Sequence, residues 1–137
     1  MAIYKVLIID DAFFIRNLIK KAIAKKPVTK NTFEVAGEAQ DGRAGIDLCE
    51  KLKPDIITVD FNIPTINGLD FAKYLKELHP EIPIIMISCM FGIKWGLGVS
   101  LTYGIIQMLI SFAEVCSLLE KCAFSICERL HGSIFSI

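Results

Sequence analysis

Four polar side chains that follow apolar runs are the residues of this sequence best suited to chemistry. Asp10 and Asp11 follow one such run, Asp60 follows the run at 56–59, and Ser88 follows a third, rich in isoleucine. Each run has the length and composition of a buried strand. If these strands are parallel neighbours, their carboxyl ends meet at one edge of a sheet. We therefore expect three carboxylates and a hydroxyl to converge there.

Three converging carboxylates favour a bound divalent cation. Asp10, Asp11 and Asp60 would repel one another and raise one another's pKa unless a cation lies among them. Mg²⁺ with retained waters suits an all-oxygen ligand set and suits phosphoryl chemistry. A solvated carboxylate at a strand end is the simpler interpretation of any one of these acids, but the three together with Ser88 favour a metal site.

The segments that must position these side chains alternate between strand and helix. β-Branched and apolar runs predict strands at residues 4–9, 33–39, 56–59, 82–87 and 105–110. Helical periodicity predicts helices between them at about 12–26, 44–53 and 69–78, and a final helix around 115–126. Residues 94–103 are the candidate for a fourth helix, which Gly96 and Gly98 disfavour. This alternation predicts an α/β fold, a doubly wound five-stranded parallel sheet of the flavodoxin-like type with strand order 2-1-3-4-5.

The first predicted helix has a clear two-faced pattern. Apolar residues recur at i, i+3, i+4, i+7 and i+8 from Ile15, which predicts one buried face. Arg16 and Lys20 fall largely on the other face, with further lysines at Lys21, Lys25 and Lys26. We expect that face to be exposed to solvent.

The composition indicates one cytoplasmic domain. The chain has 137 residues, and its fifteen basic residues balance fifteen acidic ones, which argues against nucleic-acid binding through this domain. Its first residues pass directly into the apolar run before Asp10 and lack the features of a signal peptide. Five cysteines without a C-x-x-C pair fit a reducing compartment. We expect Cys116, Cys122 and Cys127, at helical spacing, to be small core residues.

The last third of the chain differs sharply from the rest. Residues 95–137 contain five of the thirty charged residues. Residues 95–113 carry no charge and are long enough to cross a membrane, but glycines and hydroxyl residues lower their hydropathy. We expect no membrane span there. A large apolar surface marks an interaction site, so we expect residues 95–137 to be buried in a homodimer or against a partner.

Three motifs together resemble the receiver domain of two-component response regulators, most closely the single-domain chemotaxis type. They are Ile-Ile-Asp-Asp at 8–11, Asp-x-x-x-Pro-x-x-x-Gly at 60–68, and Ile-Ser at 87–88. The resemblance covers about residues 3–91 of what we interpret as a single domain, residues 1–137. Residues 92–137 are atypical.

This resemblance implies a role for each polar residue. Asp60 is similar to the phosphoacceptor, which takes a phosphoryl group from the phosphohistidine of a histidine kinase. Asp11, Asp60 and the backbone carbonyl of Asn62 match the family's Mg²⁺ ligands, and Asp10 supports the ion through water. Ser88 matches the residue that hydrogen-bonds the phosphoryl oxygens. The family implies phosphorelay signalling to a downstream protein, not catalysis on an external substrate.

One part of the family pattern is missing. Receivers carry a Lys-Pro pair at the end of the fifth strand and an aromatic residue three positions before the lysine. Counting from Gly104 puts these positions near Ser111 and Met108, and the sequence has no lysine between Lys94 and Lys121. Losing a cation from a site that holds an anion should weaken phosphorylation and its transmission.

Two alternatives therefore stand beside a working phosphorelay receiver. One is a pseudo-receiver, an interaction module that has the fold but an impaired switch, which the missing lysine supports. The other is a Mg²⁺-dependent phosphatase with an aspartyl nucleophile, which the absence of an Asp-x-Asp spacing around Asp60 disfavours.

Overall fold

Five parallel strands form the centre of the molecule. The computed structural model describes residues 2–24, 31–88, 104–107, 119–124 and 126–127. The strands are β1 Ile3–Ile9, β2 Thr32–Ala39, β3 Ile56–Asp60, β4 Ile84–Ser88 and β5 Gly104–Gln107. They pair in the order β2-β1-β3-β4-β5, all in parallel. This confirms the predicted fold class and strand order.

The three central strands are buried on both faces because their sequences are nearly continuous runs of valine, leucine and isoleucine. Residues of β1, β3 and β4 alternate between two cores. One face, which includes Ile8 and Ile56, packs against α1 Phe13–Ala24 and helical residues 119–124. The other, which includes Leu7 and Ile57, packs against α2 Gly42–Leu52 and α3 Gly68–Leu78. The helices therefore cover both faces of the sheet.

Side-chain caps define where α2 and α3 begin. The carboxylate of Asp41 accepts a hydrogen bond from the Ala44 N–H at 2.9 Å, and the Asn67 side chain accepts one from the Asp70 N–H at 2.9 Å. Each satisfies a backbone donor that the first turn of a helix leaves free. Both helices thus start immediately after loops at the carboxyl edge of the sheet.

Most predicted elements lie within two or three residues of the observed ones. β4 begins at Ile84 and not at residue 82 because Pro83 lacks an N–H and Ile82 donates instead to the His79 carbonyl at 3.1 Å. β5 ends at Gln107. The candidate helix at 94–103 lies outside the described residues, and the predicted final helix is described as helical at 119–124 and 126–127.

The charge-free stretch does not form one long helix, because four of its residues form β5. Among the described residues, no helix combines the length and apolar character that crossing a membrane requires.

Two expectations about burial were wrong. Arg16 is 6% exposed and belongs to the buried side of α1. It lies three residues before Ile19 and seven before Ile23, so helical geometry puts it on the core stripe. Cys127 is exposed, whereas Cys122 is buried as expected, and Cys116 lies outside the described residues.

Candidate functional site

The carboxyl ends of β1 and β3 bring three acids together. Ile9 pairs with Val59 across these neighbouring strands, so Asp10 and Asp60 leave the sheet side by side, and Asp11 follows Asp10. One carboxylate oxygen from each of the three lies within 4.8 Å of the others. The predicted convergence of Asp10, Asp11 and Asp60 is therefore observed.

Asp10 is the most buried member of the cluster, at 2% exposed. One carboxylate oxygen accepts a hydrogen bond from the Ala12 N–H at 2.8 Å. The pKa of Asp10 is raised to about 6: burial is the main cause and the charges of Asp60 and Asp11 add to it, while the Ala12 hydrogen bond and the Arg16 charge oppose the increase. Near pH 6 the protonated and charged forms of this carboxyl are therefore both populated.

Asp60 is partly buried at the end of β3. Burial is the main cause that raises its pKa, and the negative charge of Asp11 adds to it. Hydrogen bonds from the backbone N–H groups of Asn62 and Phe61 favour the charged form and oppose this increase. The Asp60 carboxylate is therefore reachable from solvent and is oriented by the backbone that follows it.

The loop after Asp60 depends on Gly68 for its close approach to β3. The Gly68 N–H donates to the Phe61 carbonyl at 2.8 Å. A Cβ at Gly68 would collide with the Asp60 carbonyl oxygen and lie 2.8 Å from the Phe61 Cα. Both contacts are with backbone atoms, which cannot rotate away. The glycine of the 60–68 motif therefore lets α3 begin directly beside the phosphoacceptor candidate.

The same loop is attached to the start of α2. The Gly42 N–H donates to the Pro64 carbonyl at 3.2 Å, and the Arg43 N–H donates to the Thr65 hydroxyl at 3.1 Å. Thr65 has a φ of 69°, which is strained for a β-branched residue. Two hydrogen bonds thus hold a strained loop segment beside the acids.

Ser88 reaches the same edge of the sheet through β4. Asp60 pairs with Ile87, so the Ser88 backbone lies one position beyond the register partner of Asp60. Ser88 itself pairs with Gln107, the last residue of β5. The expected lysine position near Ser111 and the aromatic position near Met108 lie outside the described residues.

The chemistry of this donor set fits Mg²⁺. Three carboxylates supply hard oxygen ligands, and the raised pKa of Asp10 and of Asp60 shows that the cluster holds its negative charge at a cost that a cation would relieve. Asn62, whose backbone carbonyl is the fourth predicted ligand, is exposed two residues after Asp60.

Arg16 is the site residue that sequence reasoning missed. Its guanidinium donates to the Asp10 carbonyl at 2.7 Å and to the Glu38 carboxylate at 3.2 Å, and it lies 5.7 Å from the centre of the Phe13 ring. Its spacing from Ile19 and Ile23 in the sequence could have predicted its burial. This helical position outweighs the usual preference of arginine for solvent.

Known proteins resemble the chain in both sequence and fold. The model of the response regulator receiver domain family matches residues 6–104. This match extends past residue 91, where the motif resemblance ends. The chemotaxis protein CheY of Thermotoga maritima is 43% identical over 86 residues, which are 63% of this chain and 68% of that protein. The crystal structure of the response regulator domain of Thermotoga maritima CheB is 28% identical, with a TM-score of 0.72 over 90% of this chain and 96% of that one.

Other relatives are longer than this chain. A protein-glutamate methylesterase/protein-glutamine glutaminase of Pyrococcus horikoshii is 40% identical over 86 residues, which are 63% of this chain but 22% of that protein. The corresponding protein of Pseudoalteromonas atlantica is 30% identical over 139 residues, which cover 94% of this chain and 35% of the relative. The chain thus spans about a fifth to a third of these relatives.

Proposed function

Because the chain belongs to the response regulator receiver domain family, we propose that it works in phosphorelay signalling, with Asp60 as the phosphoacceptor. The observation that carries this proposal is the cluster of Asp10, Asp11 and Asp60, with one oxygen of each within 4.8 Å of the others. Such a cluster on adjacent strands suits phosphoryl transfer better than it suits structural stability, because acids that face one another, with Asp10 buried among them, destabilise a fold.

In the proposed reaction, an Asp60 oxygen attacks the phosphorus of a phosphohistidine on a histidine kinase. The new P–O bond forms as the P–N bond breaks, and the imidazole nitrogen keeps the electron pair and then takes a proton. Hydrogen bonds from the Asn62 and Phe61 N–H groups orient the attacking carboxylate. A carboxylate is a weak nucleophile, so orientation and charge neutralisation must supply most of the catalysis.

Asp10, Asp11, Asp60 and the backbone carbonyl of Asn62 would hold Mg²⁺, with Asp10 acting through water. When bound, the ion would neutralise the negative charge of the cluster and of the transferred phosphoryl oxygens. Ser88, at the same edge of the sheet, would hydrogen-bond those oxygens. The added phosphoryl charge would draw Ser88 and its loop toward Asp60, and this movement is the proposed switch.

The proposal is tested by incubating the protein with acetyl phosphate and Mg²⁺ and recording its intact mass. We expect the addition of one phosphoryl group, loss of labelling when Mg²⁺ is chelated, and loss of labelling in Asp60→Asn. Asp47→Asn is the matched control, because Asp47 is an exposed acid on α2, away from the cluster. Labelling that persists in Asp60→Asn would reject Asp60 as the acceptor.

A pseudo-receiver with an impaired switch is the second candidate, and the missing lysine favours it. The sequence has no lysine between Lys94 and Lys121, and the last residue of β5, paired with Ser88, is Gln107. Hydrogen exchange separates the two functions. A working switch would change amide exchange in β4 on phosphorylation, whereas a pseudo-receiver would accept the label with no change there.

The proposed partners are a histidine kinase and a downstream protein that reads the phosphorylated state. We propose signalling and not catalysis on an external substrate, which is the role that membership of the receiver domain family supports. A homodimer through residues 95–137 and a cytoplasmic location stay predictions. Analytical ultracentrifugation that shows a monomer at high protein concentration would contradict the homodimer.

A further inference from the structure

Arg16 is a buried cation beside the acid cluster, yet none of its observed hydrogen bonds goes to a carboxylate of that cluster. It is 6% exposed, and its hydrogen bonds go to the Asp10 backbone carbonyl and to Glu38. A guanidinium next to carboxylates normally pairs with them, often through two hydrogen bonds. Its attachment to a backbone carbonyl therefore calls for a physical explanation.

The first part of the explanation is the turn that carries Asp10 and Asp11. The Asp10 N–H donates to the Ala39 carbonyl at 3.0 Å, and the Asp10 carboxylate accepts from the Ala12 N–H at 2.8 Å. The Asp10 carbonyl accepts from Arg16 at 2.7 Å. Arg16 thus completes a set of three hydrogen bonds that fixes the turn, and it does so from the core side of α1.

The second part is Glu38, near the end of β2. One of its carboxylate oxygens accepts from Arg16 Nε at 3.2 Å, and the other accepts from Lys20 Nζ at 3.1 Å. Glu38 therefore neutralises the guanidinium and holds it on the β2 side of the turn. Without Glu38, the guanidinium would lose its carboxylate partner, while its charge would still act on the Asp10 carboxyl, whose pKa it lowers.

We propose that Arg16 is a positioning residue for the cation site and that Glu38 prevents its guanidinium from taking the cation's place. This rests on the proposed function, since it assumes that Asp10, Asp11 and Asp60 hold a divalent cation. The effect of removing Arg16 on Mg²⁺ binding distinguishes two roles. If Arg16 acted only through its charge, removing it would strengthen Mg²⁺ binding, because like charges repel. If it orders the turn, removing it weakens Mg²⁺ binding.

Arg16→Met is the first test, with Mg²⁺ affinity measured by isothermal titration calorimetry. We expect affinity to fall by about 10-fold or more, the usual effect of losing a group that orients metal ligands. Lys20→Met is the matched control, because Lys20 lies on the same helix as Arg16 and also contacts Glu38, but through an exposed hydrogen bond. The Mg²⁺ affinity of this variant should equal that of the unchanged protein. Unchanged or stronger binding in Arg16→Met would overturn the proposal.

Glu38→Gln is the second test and does not depend on tolerance of a change at a core position. We expect a weaker decrease in Mg²⁺ affinity, about three-fold, because the freed guanidinium competes with the cation. The double variant Glu38→Gln with Arg16→Met should bind no more weakly than Arg16→Met alone. Equal affinity of Glu38→Gln and the unchanged protein would overturn the role of Glu38.

Hydrogen exchange without Mg²⁺ gives a readout that does not depend on the proposed function. In Arg16→Met, the Asp10 and Ala12 amides should exchange about 10-fold faster. The Ile57 amide, which donates to the Pro83 carbonyl at the other edge of the sheet, should not change. If the unchanged protein binds no Mg²⁺, the proposed function fails, but this measurement still decides whether Arg16 orders the turn. Unchanged exchange at Asp10 and Ala12 would overturn its positioning role.

Discussion

Charged side chains are arranged in opposite ways at the two edges of the sheet. At the carboxyl edge, Asp10, Asp11 and Asp60 face one another, and burial with mutual repulsion raises the pKa of Asp10 to about 6. At the amino edge, His79 lies between Glu50, at 2.8 Å, and Glu81, at 3.5 Å. One edge accumulates like charges, and the other pairs opposite ones.

The pairing at the amino edge also includes the backbone. The carboxylate of Asp55, just before β3, accepts from the Lys5 N–H at 2.8 Å, and Lys5 Nζ donates to the Leu52 carbonyl at 3.1 Å. Hydrogen bonding to Glu50 is the main cause that raises the pKa of His79. The comparison indicates that the amino edge stabilises the fold, while the carboxyl edge retains unfavourable charge that a ligand can relieve.

Gly68→Ala should have the largest effect, because it breaks the backbone contact on which the carboxyl edge depends. We expect a loss of about 3 kcal/mol in the free energy of unfolding, measured by urea denaturation. Gly37→Ala is the control. Its Cβ would also come within 2.6 Å of an atom, but that atom is the end of the flexible Leu52 side chain. Similar losses in the two variants would contradict the argument.

Asp10→Asn should stabilise the protein at pH 8 without Mg²⁺. The folded-state pKa of about 6 lies above the ordinary value of 3.8 for an aspartate, so the folded protein holds this proton more tightly. Stability from Asp10 is therefore complete below about pH 4 and is lost as the pH rises through 6. Asparagine avoids this loss, with a gain on the order of 2 kcal/mol at pH 8. Denaturation at pH 4 and pH 8 measures the difference, which should vanish at pH 4.

Thr58→Val tests whether an unfavourable polar group also lies in the core below the carboxyl edge. Thr58 is 1% exposed, lies two residues before Asp60, and has a hydroxyl without a hydrogen-bond partner in the described part of the chain. The isosteric valine should add about 1 kcal/mol to the free energy of unfolding. The reverse change next to it, Val59→Thr, should remove a similar amount. A destabilised Thr58→Val would mean that the hydroxyl is paired.

His79→Gln should have the smallest effect and tests the amino edge. The raised pKa means that the stabilisation from protonated His79 is complete below pH 6.5 and is lost as the pH rises through the folded-state pKa. Because the pair with Glu50 is largely exposed, we expect a loss of less than about 1 kcal/mol at pH 6. Thermal unfolding at pH 6 and pH 9 measures it. A difference that grew with pH would contradict this interpretation.

The acids could be predicted from the sequence because their position depends on local patterns. An apolar run followed by Asp10 or Asp60 defines both the strand and the edge at which the side chain leaves it. The parallel order of the strands then follows from the alternation of strands and helices. The convergence of the cluster needed no information beyond these two steps.

The environment of Arg16 could not be predicted in this way because it depends on contacts between distant residues. Its burial is tolerated because Glu38, 22 residues away, and the Asp10 carbonyl satisfy its donors. A polarity pattern assigns every arginine to solvent. The start of β4 also shifted, because Pro83 interrupts an apolar run that otherwise looks continuous.

The irregular pairing of β2 bears on how copies of this protein meet in concentrated solution. Register shifts between Val6 and Leu7, so Ala36 has no partner opposite it, and the same strand carries Glu34 and Glu38. A bulge and two acids on an outer strand discourage another chain from extending the sheet. Fibril-like growth through β2 is therefore disfavoured, and any assembly of copies should use a different surface.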